Sequence, residues 1–563
     1  MLRIPEREAI GKLLALVGAA TTLAILPGSS YDPINVPKLA LLSLGGFTSI
    51  FFLLISLRTL KEAKFKAPLI AVMAFILDLV LVLIFSGSNF NQEFFGADGR
   101  STGFVAYAAL SGLFLAAVIT ASSFSLTRVS YSLLATGLIS TLYGILQILG
   151  ADPVGWVNSY SPVIGFLGNP DFQSSFVALS AILAAAMILN KDSKISFRIA
   201  YVIYVLGSLY VIKETKAQQG FLVFIAGVGI ISIAYLYIKR KKIWALALSI
   251  TAFLGAVLIV FGTVKKGPLA TILYKDSVTY RGDYWHAGWK MTRDNPFLGV
   301  GLDSYGDWYR RARTLEATLR RGPDAISNAA HNVLLDFSSN GGFPLLFIYL
   351  TILVLALRAS VLVIARSTRF DPVFVGLFAV WIGYQAQSII SLNQLGLAVW
   401  GWIISGLLIG WEIQGRDNAP EPKPFKKSKK IKTASEIASN KVQPSTVLTL
   451  TAGLLIGAII GMPPLLASIK YRSALESNNL TNVSQTETIF PQSANRTVLA
   501  ATILDQNKWD SDALLVTQKA VARYPDFFEG WKLLSTLKNA TPAQVAEAKL
   551  QMKRLDPHNP DLK

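Results

Sequence analysis

The chain has 563 residues, 52% of them hydrophobic and only 15% charged, with a mean hydropathy of +0.47. That balance excludes an ordinary soluble domain and indicates a polytopic membrane protein. The absence of cysteine removes disulfides, thiolate metal sites and cysteine nucleophiles, and the net charge of +19 lies in basic runs beside apolar spans, which speaks for membrane orientation and anionic lipid and against nucleic acid.

Crossing the hydrocarbon takes about 20 apolar residues. In chain order such runs fall at 12–26, 37–57, 67–86, 103–121, 129–149, 172–189, 198–213, 219–238 and 243–262, and then at 343–364, 373–390, 395–411 and 446–466. The expected fold is an all-α polytopic membrane protein with about 12–13 transmembrane helices. Arg3, Arg7 and Lys12 before the first run resemble the start of a secretory signal, but no small-residue cleavage site follows Pro27 and Gly28, so this run is read as a retained helix. Asp78, in the third run, is an intramembrane carboxylate and a functional suspect on that ground.

Orientation follows from the cations of the short loops. With the N-terminus inside, RTLKEAKFK, Arg128, NKDSKISFR, KRKK, the turn from Arg358 to Arg369 and PKPFKKSKKIK all lie inside. The outer loops are then poor in cations apart from Lys213 and Lys216. The expected organisation is a transmembrane body over 1–411 with a large extracytoplasmic loop at 263–342, a basic cytoplasmic linker at 412–445, one more transmembrane helix at 446–466 and an extracytoplasmic helical tail at 467–563.

In the tail, ALLVTQKAVARYPDFFEGWKLLS and AQVAEAKLQMKRLDPHNPD each carry a proline, Pro525 and Pro557, about one helical-hairpin repeat apart. This looks like a degenerate tetratricopeptide-type unit that binds a protein partner or packs on the body; a plain helical tail is the alternative. The acidic triplet Asp510 to Asp512 lies in this tail, where a metal-nucleotide site has no place, and is read as coincidence.

The chemistry must come from the polar loop. No Walker A, HExxH or GxSxG motif is present, and Gly299 and Gly301 are read as a turn because no strand precedes them. Of the three histidines, His558 sits in a DPHNP turn as a solvated residue, and His286 lies off the face shared by Arg281, Trp285 and Trp289, which follow one another at steps of four. Arg281 beside tryptophans at a membrane surface suits a diphosphate headgroup, because the guanidinium forks onto phosphate oxygens while the indoles sit at the interface. The plainer reading is a solvated arginine between anchoring tryptophans. Arg310, Arg311, Arg313, Arg320 and Arg321 are read as a solvated face, with Arg313 and Glu316 at helix spacing, and at most a secondary phosphate attractor.

His331 follows a Ser327-Asn328 helix-start signal and opens the segment that re-enters the membrane. It is either a capping or packing residue, or a neutral imidazole that takes a proton from a hydroxyl. Asp336, five residues on, points elsewhere on a helix and is a weak candidate for orienting it.

RGDYWHAGWKMTRDNPFLGVGLDSY followed by AHNVLLDFSSNGGFPLLFIY resembles the core of the bacterial O-antigen ligase and O-antigen polymerase superfamily. GFLGNPDFQSSFVALS is similar to that family's G-N-P-N/D segment and TKAQQGFLV to its S-R-x-G helix start. The resemblance runs over about residues 160–411 and implies a metal-independent, cofactor-free transferase. Such an enzyme takes a glycan from an undecaprenyl-diphosphate donor and passes it to a glycan, lipid or protein acceptor outside the cytoplasmic membrane. It implies His331 as base and Arg281 as diphosphate ligand, with Trp285, Asn332, Asn169 and Gln219 in the substrate-binding set. Where the family has arginine after the fourth outer loop, this chain has Lys216, which cannot form the bidentate fork; Lys213 is the second candidate. The rivals are a transporter or flippase for lipid-linked glycans and a non-catalytic scaffold.

Overall fold

A computed structural model describes residues 3–156, 158–263, 268, 276–417 and 442–562, which are helical with no strand among them. The basic run PKPFKKSKKIK and most of the expected linker lie outside the described residues. The bundle consists of α1 (Ile4–Leu23), α2 (Asn35–Ile55), α3 (Lys66–Phe85), the short α4 (Phe90–Phe95), α5 (Phe104–Thr120), α6 (Ser123–Ile148), α7 (Pro170–Ile188), α8 (Ile195–Glu214), α9 (Gln218–Ile238) and α10 (Lys242–Thr263). The loop folds as α11 (Asp276–Asp294), α12 (Tyr305–Ala312) and α13 (Leu315–Arg321). Then come α14 (Val333–Arg366), α15 (Pro372–Ser388), α16 (Leu395–Asp417) and α17 (Pro444–Glu476), and the tail helices α18 (Ala494–Gln506), α19 (Asp510–Arg523), α20 (Phe528–Leu534) and α21 (Pro542–Leu555).

Every expected apolar run falls on one of these helices, and the chain is an all-α polytopic membrane protein. Among the described residues nine helices are long and apolar enough to cross a membrane, and Phe104–Thr120 and Lys242–Leu258 are shorter apolar helices. Within lipid there is no hydrophobic drive between helices, so close packing needs small residues at the contacts. Gly453, Gly457 and Gly461 of α17, spaced by four, press on α2: a Cβ at Gly457 would stand 2.6 Å from the Ser43 carbonyl oxygen. Gly406 and Gly410 of α16 do the same against Phe114 and Val118 of α5, at 2.3 and 2.1 Å from their carbonyl oxygens. The last long helix is therefore built into the body beside the second.

The loop is fastened to one end of the bundle. Ser88 donates to the Val300 carbonyl at 2.7 Å, the buried Glu93 accepts from the Leu302 N–H at 2.9 Å, and Arg100 donates to the Asn328 carbonyl at 2.6 Å. The loop has its own apolar core of Ala287, Met291, Val300, Tyr305, Tyr309, Ala312 and Ala330.

The tail folds as two consecutive helix–turn–helix pairs and packs on the loop through charge, the second of the two roles expected for it. Arg310 meets Glu529 at 2.7 Å and Asp556 at 3.4 Å, Arg313 meets Asp556 at 2.6 Å, and Arg311 meets Asp526 at 3.1 Å. This corrects the solvated-face reading: Arg310 and Arg313 are buried, and Glu316 pairs with Arg320 rather than with Arg313. Spacing along one helix cannot show a partner more than two hundred residues away. The DSD triplet forms the first turn of α19, where acids complement the helix dipole, and no metal-binding group of acids and histidines occurs among the described residues.

Candidate active site

The site begins with a backbone interlock. After α11 the chain turns through NPFLGVG and lies against a break in α14 at Gly342, whose φ is +72°. Val300 N–H donates to Ser339 O at 2.8 Å, Gly301 N–H to Asn340 O at 3.2 Å and Phe343 N–H to Pro296 O at 2.8 Å. A Cβ on Gly299 would come within 2.4 Å of the Asn340 backbone, and one on Gly342 within 2.6 Å of Pro296 and Phe297, so only glycine lets the two segments meet. The turn read from Gly299 and Gly301 is thus the clamp that ties α11 to α14.

On that clamp sits His331. Helix α14 begins at Val333 with Asn332 as its cap, the Asn332 carboxamide oxygen accepting from the N–H groups of Leu334 and Leu335 at 3.0 and 3.1 Å. The Ser327-Asn328 pair lies upstream of the helix, where the Ser327 hydroxyl donates to the Ala329 carbonyl at 2.8 Å. His331 itself has φ +52°, a conformation costing a non-glycine residue about 1–3 kcal/mol that persists only when the surroundings enforce it. The enforcement is visible on the preceding residue: Ala330 N–H donates to Asp336 at 2.7 Å. Asp336 in turn lies 3.7 Å from Arg100, which pairs with Asp303 at 3.0 Å. Asp336 accordingly positions the segment, with no bond to the imidazole.

The imidazole stacks on Tyr284 of α11, ring centroids 5.3 Å apart. Tyr284 is held by Arg321, whose guanidinium donates to the phenol oxygen at 2.7 Å and lies 4.4 and 5.1 Å from the ring centres of Tyr280 and Tyr284. Burial, reinforced by the charges of Arg281, Arg100 and Arg321, lowers the His331 pKa from the usual 6.5 to about 4. The imidazole is therefore neutral at physiological pH and faces a cationic field.

Arg281 lies one helical turn before Trp285 on α11 and reaches Asp171 at 3.7 Å. Asn169 is exposed and caps α7, accepting from the Asp171 N–H at 2.8 Å, so the GNPD segment delivers its aspartate, and not its asparagine, to Arg281. Trp285 is half-buried, with an indole N–H that is buried and meets no protein acceptor. Trp289 is 52% exposed and packs edge-on to Phe343.

Lys213 and Lys216 lie at the turn between α8 and α9, both exposed. Lys213 pairs with Glu214 at 3.5 Å and Lys216 has φ +60°. Among the described residues no hydrogen bond or ion pair joins either lysine to Arg281, Arg321 or His331. Gln219 is buried inside the bundle, where its amide nitrogen donates to Ser175 at 2.9 Å and Gln387 at 3.1 Å.

Residues 203–350 match the O-antigen ligase family model. This segment is similar to an O-antigen ligase domain. It contains α9, α11, Arg281, Arg321, the glycine clamp and His331, whereas Arg100, Asn169 and Asp171 lie outside the match. A comparison of the chain with curated proteins gives no significant match.

Sequence reasoning missed Arg100, Asp171 and Tyr284, and named Arg321 only within a solvated face and as a secondary phosphate attractor. Arg100 did leave a signal, as the one cation of its outer loop SGSNFNQEFFGADGR. Tyr284 lay in the quoted motif, but ring stacking on a residue 47 positions away has no sequence period.

Proposed function

We propose that the chain is a membrane glycosyltransferase that moves a glycan from undecaprenyl diphosphate to an acceptor hydroxyl on the outer side of the cytoplasmic membrane. The observation that carries this reading is the His331 imidazole, fixed by a left-handed backbone and stacked on Tyr284, within reach of the charges of Arg281 and Arg321 in the segment that matches O-antigen ligase. A lipid diphosphate brings its own bond energy and leaves without needing an acid, so no metal or nucleotide enters the scheme. The protein must then hold diphosphate charge and take one proton.

In this scheme the diphosphate is held by Arg281 and Arg321, with the half-buried Trp285 beside them on α11. The acceptor oxygen attacks the anomeric carbon and the carbon–oxygen bond to phosphate breaks, its electron pair leaving on the lipid diphosphate. The hydroxyl proton passes to His331. A pKa of about 4 makes a weak base in the empty site, but a bound diphosphate offsets the guanidinium charges and raises it toward the operating range. Lys213 and Lys216 then act as longer-range attractors at the same end of the bundle. The loop and tail lie outside, 412–445 serves as a cytoplasmic linker, and the acceptor is a glycan, a lipid or a protein side chain.

The test is reconstitution of the purified protein with a polyprenyl-diphosphate glycan and candidate acceptors. Transfer that is lost in His331→Ala supports the reading. Unchanged transfer in that variant removes His331 as the base, and movement of the lipid-linked glycan across the bilayer without transfer replaces the reading with the transporter.

A further inference from the structure

A cavity of about 730 Å³ opens where the loop meets the bundle connections and the tail. Its walls come from three parts of the chain: the bundle connections around 31–36 and 89–101, loop residues 303–328, and residues 464–529 of α17 and the tail. Neither His331 nor Arg281 lines it, but Ser327 and Asn328 do, so the segment leading into His331 is its partition. The volume falls in the range of about 300–1,000 Å³ typical of small-molecule sites.

The lining states the ligand chemistry. Five carboxylates (Asp32, Asp98, Asp303, Asp307 and Glu529) face two guanidiniums, Arg310 and Arg496. Arg310 is already taken by Glu529 and Asp556, and Asp303 by Arg100. The charge left over is negative, which repels diphosphate and anionic headgroups. Between the charges stand the amides Asn89, Asn91, Gln92, Asn328, Gln492 and Asn495. Arg496 and Tyr524, 8% and 6% exposed, complete this wall. A carboxamide both donates and accepts, which suits a ligand whose groups do both, and a hydroxyl donates once and accepts twice. Phe527, partly exposed, adds apolar surface for the carbon face of a ring.

We infer that this cavity between tail and loop is a binding subsite for a neutral oligosaccharide, the glycan portion of either the donor or the acceptor, held by the amides of its lining. It rests on the transferase reading for the source of that glycan. The tail then has a substrate-binding role, closing a sugar site that the bundle leaves open.

The test uses the full-length protein in detergent and three probes: maltotriose, the oligosaccharide freed by mild acid from the lipid-linked donor, and inorganic pyrophosphate. Saturation-transfer NMR and calorimetry should show a neutral oligosaccharide bound and not displaced by pyrophosphate. Asn495→Trp, an exposed position in the first turn of α18 on the cavity wall, should weaken that binding at least tenfold, with Asp307→Asn as the second variant. In the transfer assay Asn495→Trp should raise one KM with kcat unchanged, and whether the donor or the acceptor KM moves names the source. Oligosaccharide binding that neither variant alters, no binding of either sugar, or competition by pyrophosphate overturns the subsite. If the wild type transfers glycan to no acceptor while Asn495→Trp still blocks sugar binding, the transferase reading falls and the subsite stands.

Discussion

Two groups of arginines on one loop meet opposite fates. Arg310 and Arg313 are 5% and 2% exposed and end on tail carboxylates. Arg281 keeps one long pair to Asp171, and Arg321 has a phenol and two ring faces and, among the described residues, no carboxylate. The first group is neutralised and holds the tail; the second retains a field that reaches His331. Arginine density along the loop does not separate the two. What separates them is whether a carboxylate of the tail answers each charge at close range.

Substitutions that break this contrast should differ in kind and in size. His331→Ala should lower transfer by about 10²–10⁴-fold, the usual range for removing a general base, at unchanged thermal stability. Asp556→Ala, which leaves Arg310 and Arg313 with a buried, partly unanswered charge, should cost about 3–5 kcal/mol of tail docking. Limited proteolysis of α18 to α21 would report it, and transfer per intact molecule should fall far less than in His331→Ala. Arg281→Ala should raise the donor KM by roughly 10–100-fold, the loss of a charged hydrogen bond of about 1.5–3 kcal/mol, with Arg281→Lys recovering only part because the fork is gone. Lys532→Ala breaks the pair to Asp324, whose partners are 50% and 76% exposed, and should cost only about 0–1 kcal/mol by the same proteolysis assay.

The pH profile sharpens the same contrast. His331 titrates at about 4 in the folded chain and at about 6.5 when unfolded, so the unfolded state binds more protons between those values. Stability from this group is complete above about pH 6.5 and declines as pH falls toward 4. For activity, kcat/KM of the wild type should hold until about pH 4, whereas the acid limb of kcat, set in the donor complex, should lie higher. Arg321→Gln should move the kcat/KM limb upward by removing one of the cations that depress the imidazole, and Arg313→Gln should leave it in place.

The fold was legible because hydrocarbon imposes a length and a composition on every span, and all the runs read from hydropathy became helices. His331, Arg281 and the glycine turn were legible through a resemblance whose glycines have a local physical cause. Other features were not legible, because they depend on distant meetings. Asp171 was hidden behind Asn169, which caps the helix while its neighbour makes the contact. Gln219 stood in the right motif, yet its amide is committed to Ser175 and Gln387 inside the bundle. The buried state of Arg313 depends on an acid 243 residues later.

That separation also sets an order of assembly. At about 5–20 residues per second, a ribosome takes roughly 10–50 s to travel from Arg313 to Asp556. During that interval the loop has been made while its tail counter-ions do not yet exist. The nascent protein therefore displays an open, strongly basic platform before the tail covers it, and a chaperone, or premature contact with a negatively charged surface, would find its opportunity in that window.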